Sequence, residues 1–303
     1  IHMSVKFTSS QSPDDQAIRR PRLWWLSRSR RMMIFYLLMA VVIVLILEMP
    51  FIYMTVSSFK PATEVYRVPP AFFPLEWVLD GYRELLELSD MVRAIQNSIK
   101  VATLASTLGV GLSVGFCYAI TRFRFPGMRY FTVLMLLVYI LPGILLMIPM
   151  VKIWGRLGLT DGLLPLAVTY VSFTLPFSIW MLRSHFAGIP VELEESAMVD
   201  GATRAQAFLR IILPLARSGI IATFIFTFIL SWNEVLFASI FASSQDNVVV
   251  STTLANLLNE RSGWHSWGMI NAVGVVATLP VLVFFMFIQR QLVAGFTQGA
   301  IKG

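Results

Sequence analysis

Apolar residues in this chain gather into six runs, at about 32–56, 94–120, 130–151, 163–182, 219–241 and 269–288. Wound as a helix at about 1.5 Å per residue, each run spans roughly the hydrocarbon thickness of a bilayer. Ala102, Ala105, Ser106, Gly109, Gly111 and Gly115 fall in the second run, and small residues at that density suit close helix packing in a bundle. Pro142 and Gly143 predict a kink or break in the third run, and Pro176 lies inside the fourth. Residues 57–93 are mixed polar and aromatic, with Pro61, Pro69, Pro70 and Pro74 blocking regular helix. Within them only 81–88 has the character of a short amphipathic helix, lying outside the membrane. The pattern predicts an all-α integral membrane protein of six transmembrane helices. A polar tail over 1–31 precedes the helical domain, 32–289, and a second tail over 290–303 follows it.

One stretch between the fourth and fifth runs breaks the pattern: P-V-E-L-E-E-S-A-M-V-D-G-A-T-R-A-Q-A-F-L-R-I-I-L-P, residues 190–214. Pro190 can open a helix, because its missing N–H would be unpaired there anyway. Glu192, Glu194 and Glu195 crowd the first turn, where carboxylates suit the positive helix end. Gly201 stops this helix in the left-handed position that glycine takes at low cost. A second helix starts at once, with Thr203 as N-cap and Gln206 three residues on completing a capping box. Ala205, Phe208, Leu209 and Ile212 follow at i, i+3, i+4, i+7, which is one apolar stripe. Helices this short are marginal alone in water, so the stripe predicts docking against another surface. A helix lying on a membrane usually carries Lys and Arg on its polar face, whereas the first of these two is acidic.

Composition agrees with the apolar pattern: 56% of the 303 residues are hydrophobic and 14% charged, few charges for a soluble domain. The net charge of +7 raises nucleic acid as a partner, but the basic residues sit beside the apolar runs and form no patch interleaved with aromatics. Of the 24 Lys and Arg, 16 fall in segments that six spans place on one side, and the short 121–129 loop alone holds Arg122, Arg124 and Arg129. The positive-inside rule then predicts an N-in, C-in orientation with 190–214 in the cytoplasm. The single Cys117 and the scattered His2, His185 and His265 offer neither a disulfide framework nor a metal-ligand pair. Ile1-His2-Met3 reads as a cloning scar, and the basic tail is too long for a cleavable signal. No G-x-x-x-x-G-K-[ST] phosphate loop occurs, so energy must come from a partner through 190–214 or from an ion gradient. A gradient-driven carrier would carry intramembrane ionisable groups. Glu48 and Glu234 alone qualify, about 24 Å and 22 Å from the cytoplasmic end.

Glu195, Ser196, Ala197, Gly201, Ile211, Leu213 and Pro214 reproduce the E-A-A-x3-G-x9-I-x-L-P signature of ABC importer permeases, with Ser196 replacing the first Ala. From the first apolar run to Gly303 the chain resembles the sugar-importing, MalG-like, type I branch of that family. The resemblance implies that 190–214 is the coupling helix seated in a cleft of an ATP-hydrolysing subunit. Glu195, Ala197, Asp200 and Gly201 would then carry coupling and Phe208 would be buried in that partner. It implies no catalytic residue and no cofactor in this chain, ATP and Mg being bound by two partner ATPase subunits. A second, MalF-like permease subunit and an extracytoplasmic solute-binding protein complete the expected assembly, in the inner membrane. The expected substrate is a sugar, a di- or oligosaccharide. A polyol or glycerol phosphate importer of the same architecture, or an ion-coupled carrier acting alone, are the alternatives.

Ser231-Trp232-Asn233-Glu234 places hydroxyl, indole, amide and carboxylate together in the fifth run. Sugars call for that mixture of hydrogen-bonding groups and a flat apolar face, and W-N-E also resembles the family's pattern. Two readings stand: Trp232, Asn233 and Glu234 line the substrate pathway, or they make polar contacts between the two permease subunits. Tyr139 and Tyr170 stand either in the pathway or in an interfacial belt. Asn97 either faces the pathway or caps its helix. The closing Q-R-Q-L-V-A-G-F-T-Q-G-A-I-K-G resembles the MalG-type C-terminus, which enters the interface between the ATPase subunits. Gly295 and Gly299 permit a non-helical path there, and Gln298 and Lys302 offer donors; the alternative is a frayed terminus.

Overall fold

The computed structural model describes residues 24–300, except 66, 88–89, 124–125 and 260–266. The chain divides into two units, 1–52 and 53–303. In the first, helix α1 (Trp24–Ser57), whose last residues belong to the second unit, is exposed at every position from Arg30 to Pro50. In the second unit come α2 (Ala62–Val65), α3 (Asp80–Glu87) and the long α4 (Met91–Arg122). Next are α5 (Met128–Ile140), α6 (Gly143–Arg156) and α7 (Leu163–Ala187). A cluster of short pieces follows: α8 (Glu192–Val199), α9 (Arg204–Ala207), a π-turn (Phe208–Ile212) and α10 (Leu213–Leu215). Then α11 (Arg217–Trp232), α12 (Ala238–Phe241), α13 (Val250–Asn259) and α14 (Trp267–Ala300) complete the fold. No strand occurs among the described residues. Among the described residues four helices are long and apolar enough to cross a membrane, and two bent pairs raise the number to six.

The first bent pair is α5 and α6, which meet at 97° where Pro142 and Gly143 predict a break. The second joins the 204–215 segment to α11 at 69°. The fifth apolar run differs from expectation, because α11 stops at Trp232 rather than continuing toward 241. Asn233 turns its amide back onto the Ile229 carbonyl (2.9 Å). The Glu234 carboxylate accepts the N–H groups of Leu236, Phe237 and Ala238 at 2.8–3.2 Å. A side chain that takes backbone donors in this way competes with the helix ladder and ends it.

Helices α4, α7 and α11 form the packed centre. On α4 most buried positions are small, with Ala94, Ala102, Ala105 and Ser106 fully enclosed beside the larger Met91, Val101 and Val110, while Ile99, Leu108 and Leu112 face outward. Large residues outside and small ones inside is the arrangement of a helix bundle in lipid, where close backbone approach rather than water exclusion drives association. Gly111 and Gly115 do not share this role: both are exposed, with nothing within 4 Å of an added Cβ. Most buried hydroxyls are satisfied locally, as bilayer surroundings demand. Ser106, Thr174 and Thr227 each donate to the carbonyl four residues back at 2.6–2.8 Å, and Ser178 and Thr227 join α7 to α11 at 3.0 Å.

At the N-terminal end of α4 the connecting segments are tied down. Helix α3 lies so close to the start of α14 that a Cβ on Gly81 would meet the Gly268 carbonyl carbon at 2.6 Å. Buried Lys60 donates to the Ala71 carbonyl (2.6 Å), and buried Glu64 accepts the Leu75 N–H (2.8 Å). Arg93 pairs with Asp246 (3.0 Å), and Asn97 donates to the Asp246 and Val248 carbonyls, both at 2.9 Å. From the α6–α7 turn, Asp161 accepts the Ser243 N–H (2.9 Å), the Ser244 hydroxyl (2.6 Å) and the Asn247 amide (2.7 Å). Burial pushes the Asp161 carboxyl up, but Ser244, Asn247 and the two backbone N–H groups outweigh it and hold the group at about 2.

Two stability predictions follow from these contacts. Gly81→Ala presses a methyl against unyielding backbone, so it is expected to cost about 1–3 kcal/mol. Gly111→Ala, in open space, is expected to stay within about 0.5 kcal/mol; thermal unfolding of the detergent-purified chain compares the two. Asp161→Asn is expected to lower stability at neutral pH. Because the folded Asp161 pKa is depressed, its contribution is complete above the unfolded value near 3.8 and is lost as pH falls toward 2. The gap between wild type and variant should therefore close over that interval in pH-resolved unfolding.

Candidate functional site

The 190–214 segment folds as two short helices around a glycine, as its sequence predicts. Pro190 lies just outside α8, whose N-cap is Val191 and whose first turn starts at Glu192. Gly201 takes φ +93° with open space around it, so conformation rather than crowding selects glycine. Its N–H returns to Met198 O (3.1 Å), and the Ala202 N–H to Ala197 O (2.9 Å). The capping box is complete: Gln206 N–H donates to the Thr203 hydroxyl (3.3 Å), and Thr203 N–H to the Gln206 side-chain oxygen (2.9 Å).

The predicted docking residues form one outward surface in part. Glu195, Ser196, Asp200, Gly201 and Pro214 are exposed, and Ala197, Ile211 and Leu213 are half-buried. Val199, at 87% exposure, projects beside them. Phe208 is half-buried within this chain alone. Its ring packs 4.6 Å from Tyr118 of α4 and joins the core formed by Cys117, Leu182, Phe186 and Ile212. The predicted stripe is rotated. Across Phe208–Ile212 the chain winds as a π-turn, which adds a residue to the turn. Ala207 and Ile212 are therefore buried, while Ala205 and Leu209 are exposed.

Beneath the outward surface lies a cluster that the spacing of residues does not reveal. Glu194, next to Glu195, is 1% exposed. Its Oε2 pairs with Arg122 Nε at 3.0 Å, and its Oε1 accepts the Tyr118 hydroxyl. Arg122 Nη2 also donates to the Ile189 carbonyl at 3.0 Å. Arg204 of α9 stacks its guanidinium over the Phe123 ring at 5.0 Å. From the sequence Glu194 reads as a first-turn acid and Arg122 as a topology signal; 72 positions separate them, beyond the reach of any local pattern.

The pathway residues are only partly brought together. Tyr170, Trp232 and Ser231 border a cleft with Ser98, Val101 and Val249 that is too narrow for a water molecule. Within it the Ser231 hydroxyl has no partner among the described residues. Trp232 donates its indole N–H to the Ala277 carbonyl (3.1 Å). The Tyr170 hydroxyl reaches Glu234 O at 3.4 Å, and the Glu234 carboxylate is committed to backbone. Asn233 is exposed, Tyr139 is exposed and stacked on Phe177 (6.3 Å), and Asn97 holds the 246–248 backbone. At the C-terminus α14 continues through Gly295, Gln298 and Gly299 to Ala300 as helix, so the non-helical path the glycines permit is not taken. Lys302 lies outside the described residues. No group of three or more His, Cys, Asp or Glu suited to a metal occurs among the described residues.

Comparison with known proteins agrees with this architecture. The sequence profile of a family described as "Binding-protein-dependent transport system inner membrane component" matches residues 88–298. The chain is 37% identical over 262 residues to the inner membrane ABC transporter permease protein YcjP of Escherichia coli (strain K12), covering 86% of this chain and 93% of that protein. It is 34% identical to the diacetylchitobiose uptake system permease protein DasC of Streptomyces coelicolor (strain ATCC BAA-471 / A3(2) / M145), covering 85% and 92%. It is 33% identical to the trehalose transport system permease protein SugB of Mycobacterium tuberculosis (strain CDC 1551 / Oshkosh), covering 84% and 92%. In fold it is similar to a chain of a bacterial ABC transporter involved in the import of the acidic polysaccharide alginate. That similarity has a TM-score of 0.73 at 19% identity, over 87% of this chain and 97% of that one. This chain belongs to the family of binding-protein-dependent transport system inner membrane components.

Proposed function

We propose that this chain is a permease subunit of an ATP-driven importer for a di- or oligosaccharide. It pairs with a second permease subunit, two ATP-binding subunits and an extracytoplasmic solute-binding protein. The sugar assignment is supported by relatives named for trehalose and diacetylchitobiose uptake. The coupling assignment rests on one observation: an exposed acidic helix, turned by a glycine at φ +93° and fixed to the bundle from beneath.

Both termini and the 190–214 segment face the cytoplasm, where ATP is available. Glu195, Ser196, Ala197, Asp200 and Gly201 present the surface that enters the ATP-binding partner, flanked by Ile211, Leu213 and Pro214. The C-terminal residues Gln298, Gly299 and Lys302 approach the same partner. ATP and Mg are held there, and this chain performs no covalent step. Closure of the ATP-binding pair displaces α8 and α9, tilts the bundle and opens the pathway outward; release of ADP returns it. Trp232, Asn233, Glu234, Tyr139, Tyr170 and Asn97 belong to this subunit's side of the pathway or to the elements that shape it.

Substitution at Gly201 tests this directly. A Cβ at positive φ costs about 1–2 kcal/mol, and an added carboxylate beside Asp200 adds like-charge repulsion. In the assembled transporter Gly201→Asp is expected to lower binding-protein-stimulated ATP hydrolysis by about tenfold or more, with Gly201→Ala intermediate. Stimulation equal to wild type in both would remove the coupling role. Uptake of labelled trehalose, diacetylchitobiose, a polyol and glycerol phosphate into proteoliposomes separates the sugar assignment from its alternatives.

A further inference from the structure

Glu194 and Glu195 are neighbours with opposite fates. One carboxylate is exposed on the docking surface; the other is buried and fully engaged by α4 and its surroundings. The engagement is a three-way fit. Glu194 Oε2 meets Arg122 Nε at 3.0 Å, Glu194 Oε1 takes the Tyr118 hydroxyl, and Arg122 Nη2 reaches Ile189 O at 3.0 Å. The two side chains retain 3% and 2% of their exposure. The Tyr118 ring then lies on Phe208 of the π-turn, and Cys117, one residue earlier, donates to Ile179 O of α7 at 3.3 Å. The last turns of α4 thus hold the α7–α8 connection, α8 and the π-turn together.

The other end of the same helix is held just as firmly. Asn97 donates to the backbone at 246 and 248, and the Ser98 hydroxyl accepts the Val250 N–H at 2.8 Å. Between Asn97 and Arg122 the helix is unbroken, a rod of about 37 Å at 1.5 Å per residue. Ser98 and Val101 on this rod form one wall of the cleft that Trp232 and Ser231 border from α11.

We propose that the Glu194–Arg122 pair, seconded by Tyr118, is the joint through which a push on α8 reaches α4 and, through Asn97 and Ser98, the 242–250 segment at the far end. Glu194 and Arg122 are positioning residues and touch neither nucleotide nor solute. The inference rests on the docking of α8 proposed above. A guanidinium–carboxylate pair suits the task because its fork geometry fixes direction as well as distance. Burial makes separation of the pair unfavourable, so α8 and α4 move as one body.

The test uses the whole assembled transporter in proteoliposomes. Glu194→Gln, Arg122→Gln, their double variant and the milder Tyr118→Phe are compared by solute taken up per ATP hydrolysed. A cysteine placed at the exposed Gln245 reports movement of the far segment, since the native Cys117 is buried. Its labelling rate is read with and without ATP and vanadate. Copurification with the ATP-binding subunit is scored first, because a wild-type chain that does not bind that subunit overturns the docking proposal itself. With docking intact, each single charge variant is expected to lower the uptake-to-hydrolysis ratio by about tenfold. The double variant should be no worse than the more damaging single one, Tyr118→Phe should lie between it and wild type, and the nucleotide-dependent change at position 245 should disappear. An unchanged ratio, parallel loss of uptake and hydrolysis, or a position-245 response that survives in Glu194→Gln would overturn the joint. Where a charge variant does not assemble, Tyr118→Phe decides, since it removes one hydroxyl and leaves the ring on Phe208.

Discussion

A carboxylate and a guanidinium withdrawn from water set the terms for the polar end of this bundle. Removing each ion from water costs several kcal/mol, and only close pairing with further hydrogen bonds offsets that cost. Here both Glu194 oxygens and two Arg122 nitrogens are matched, so loss of either partner would cost about 3–5 kcal/mol. That interaction explains why an eight-residue helix such as α8, too short to persist alone, is present at all. It is fixed on its inner side, leaving Glu195, Val199 and Asp200 to face outward.

The bundle above it obeys a different rule. Lipid is as apolar as leucine, so burying a large apolar side chain between helices gains little. Residues that let backbones meet are therefore inside: Ala102, Ala105 and Ser106 on α4, and Thr223 and Thr227 on α11. Gly219 of α11 carries this to its limit, since a Cβ there would meet the His185 ring at 2.4 Å. Hydroxyls at such contacts turn back onto their own helix carbonyls, which leaves few polar groups free to bind anything else. The enclosed Ser231 hydroxyl is an exception, and it borders the cleft.

What the sequence makes legible follows the range of each interaction. The break at Pro142 and Gly143, the turn at Gly201 and the capping box at Thr203 and Gln206 depend on residues within four positions, so they can be read directly. The apolar runs are legible because bilayer thickness fixes their length. Three features escape for physical reasons. The π-turn adds a residue to one helical turn and rotates the stripe through Phe208 and Leu209. Glu234, whose chemistry suits a sugar, is drawn to the nearer N–H groups of Leu236, Phe237 and Ala238. The Glu194–Arg122 pair exists only because the ends of α4 and α7 meet in three dimensions.

Ligand pockets for small molecules hold about 300–1,000 Å³, whereas the cleft between α4, α7 and α11 has no room even for a water molecule. Its walls, however, stand on different helices: Ser98 and Val101 on α4, Tyr170 on α7, Ser231 and Trp232 on α11. The side chains most able to grip a hydroxyl or a ring face are thus carried by the elements that the proposed mechanism moves relative to one another. If α4 travels with α8, its wall shifts against Trp232, whose indole is held to Ala277 on α14. A site shaped in this way takes its volume from the state of the transporter, and in the proposed assembly, with a second permease subunit opposite, it needs to supply only part of the solute's contacts. Coupling and selectivity would then share one moving part, the α4 rod, gripped by an ion pair at one end and by amide and hydroxyl hydrogen bonds at the other.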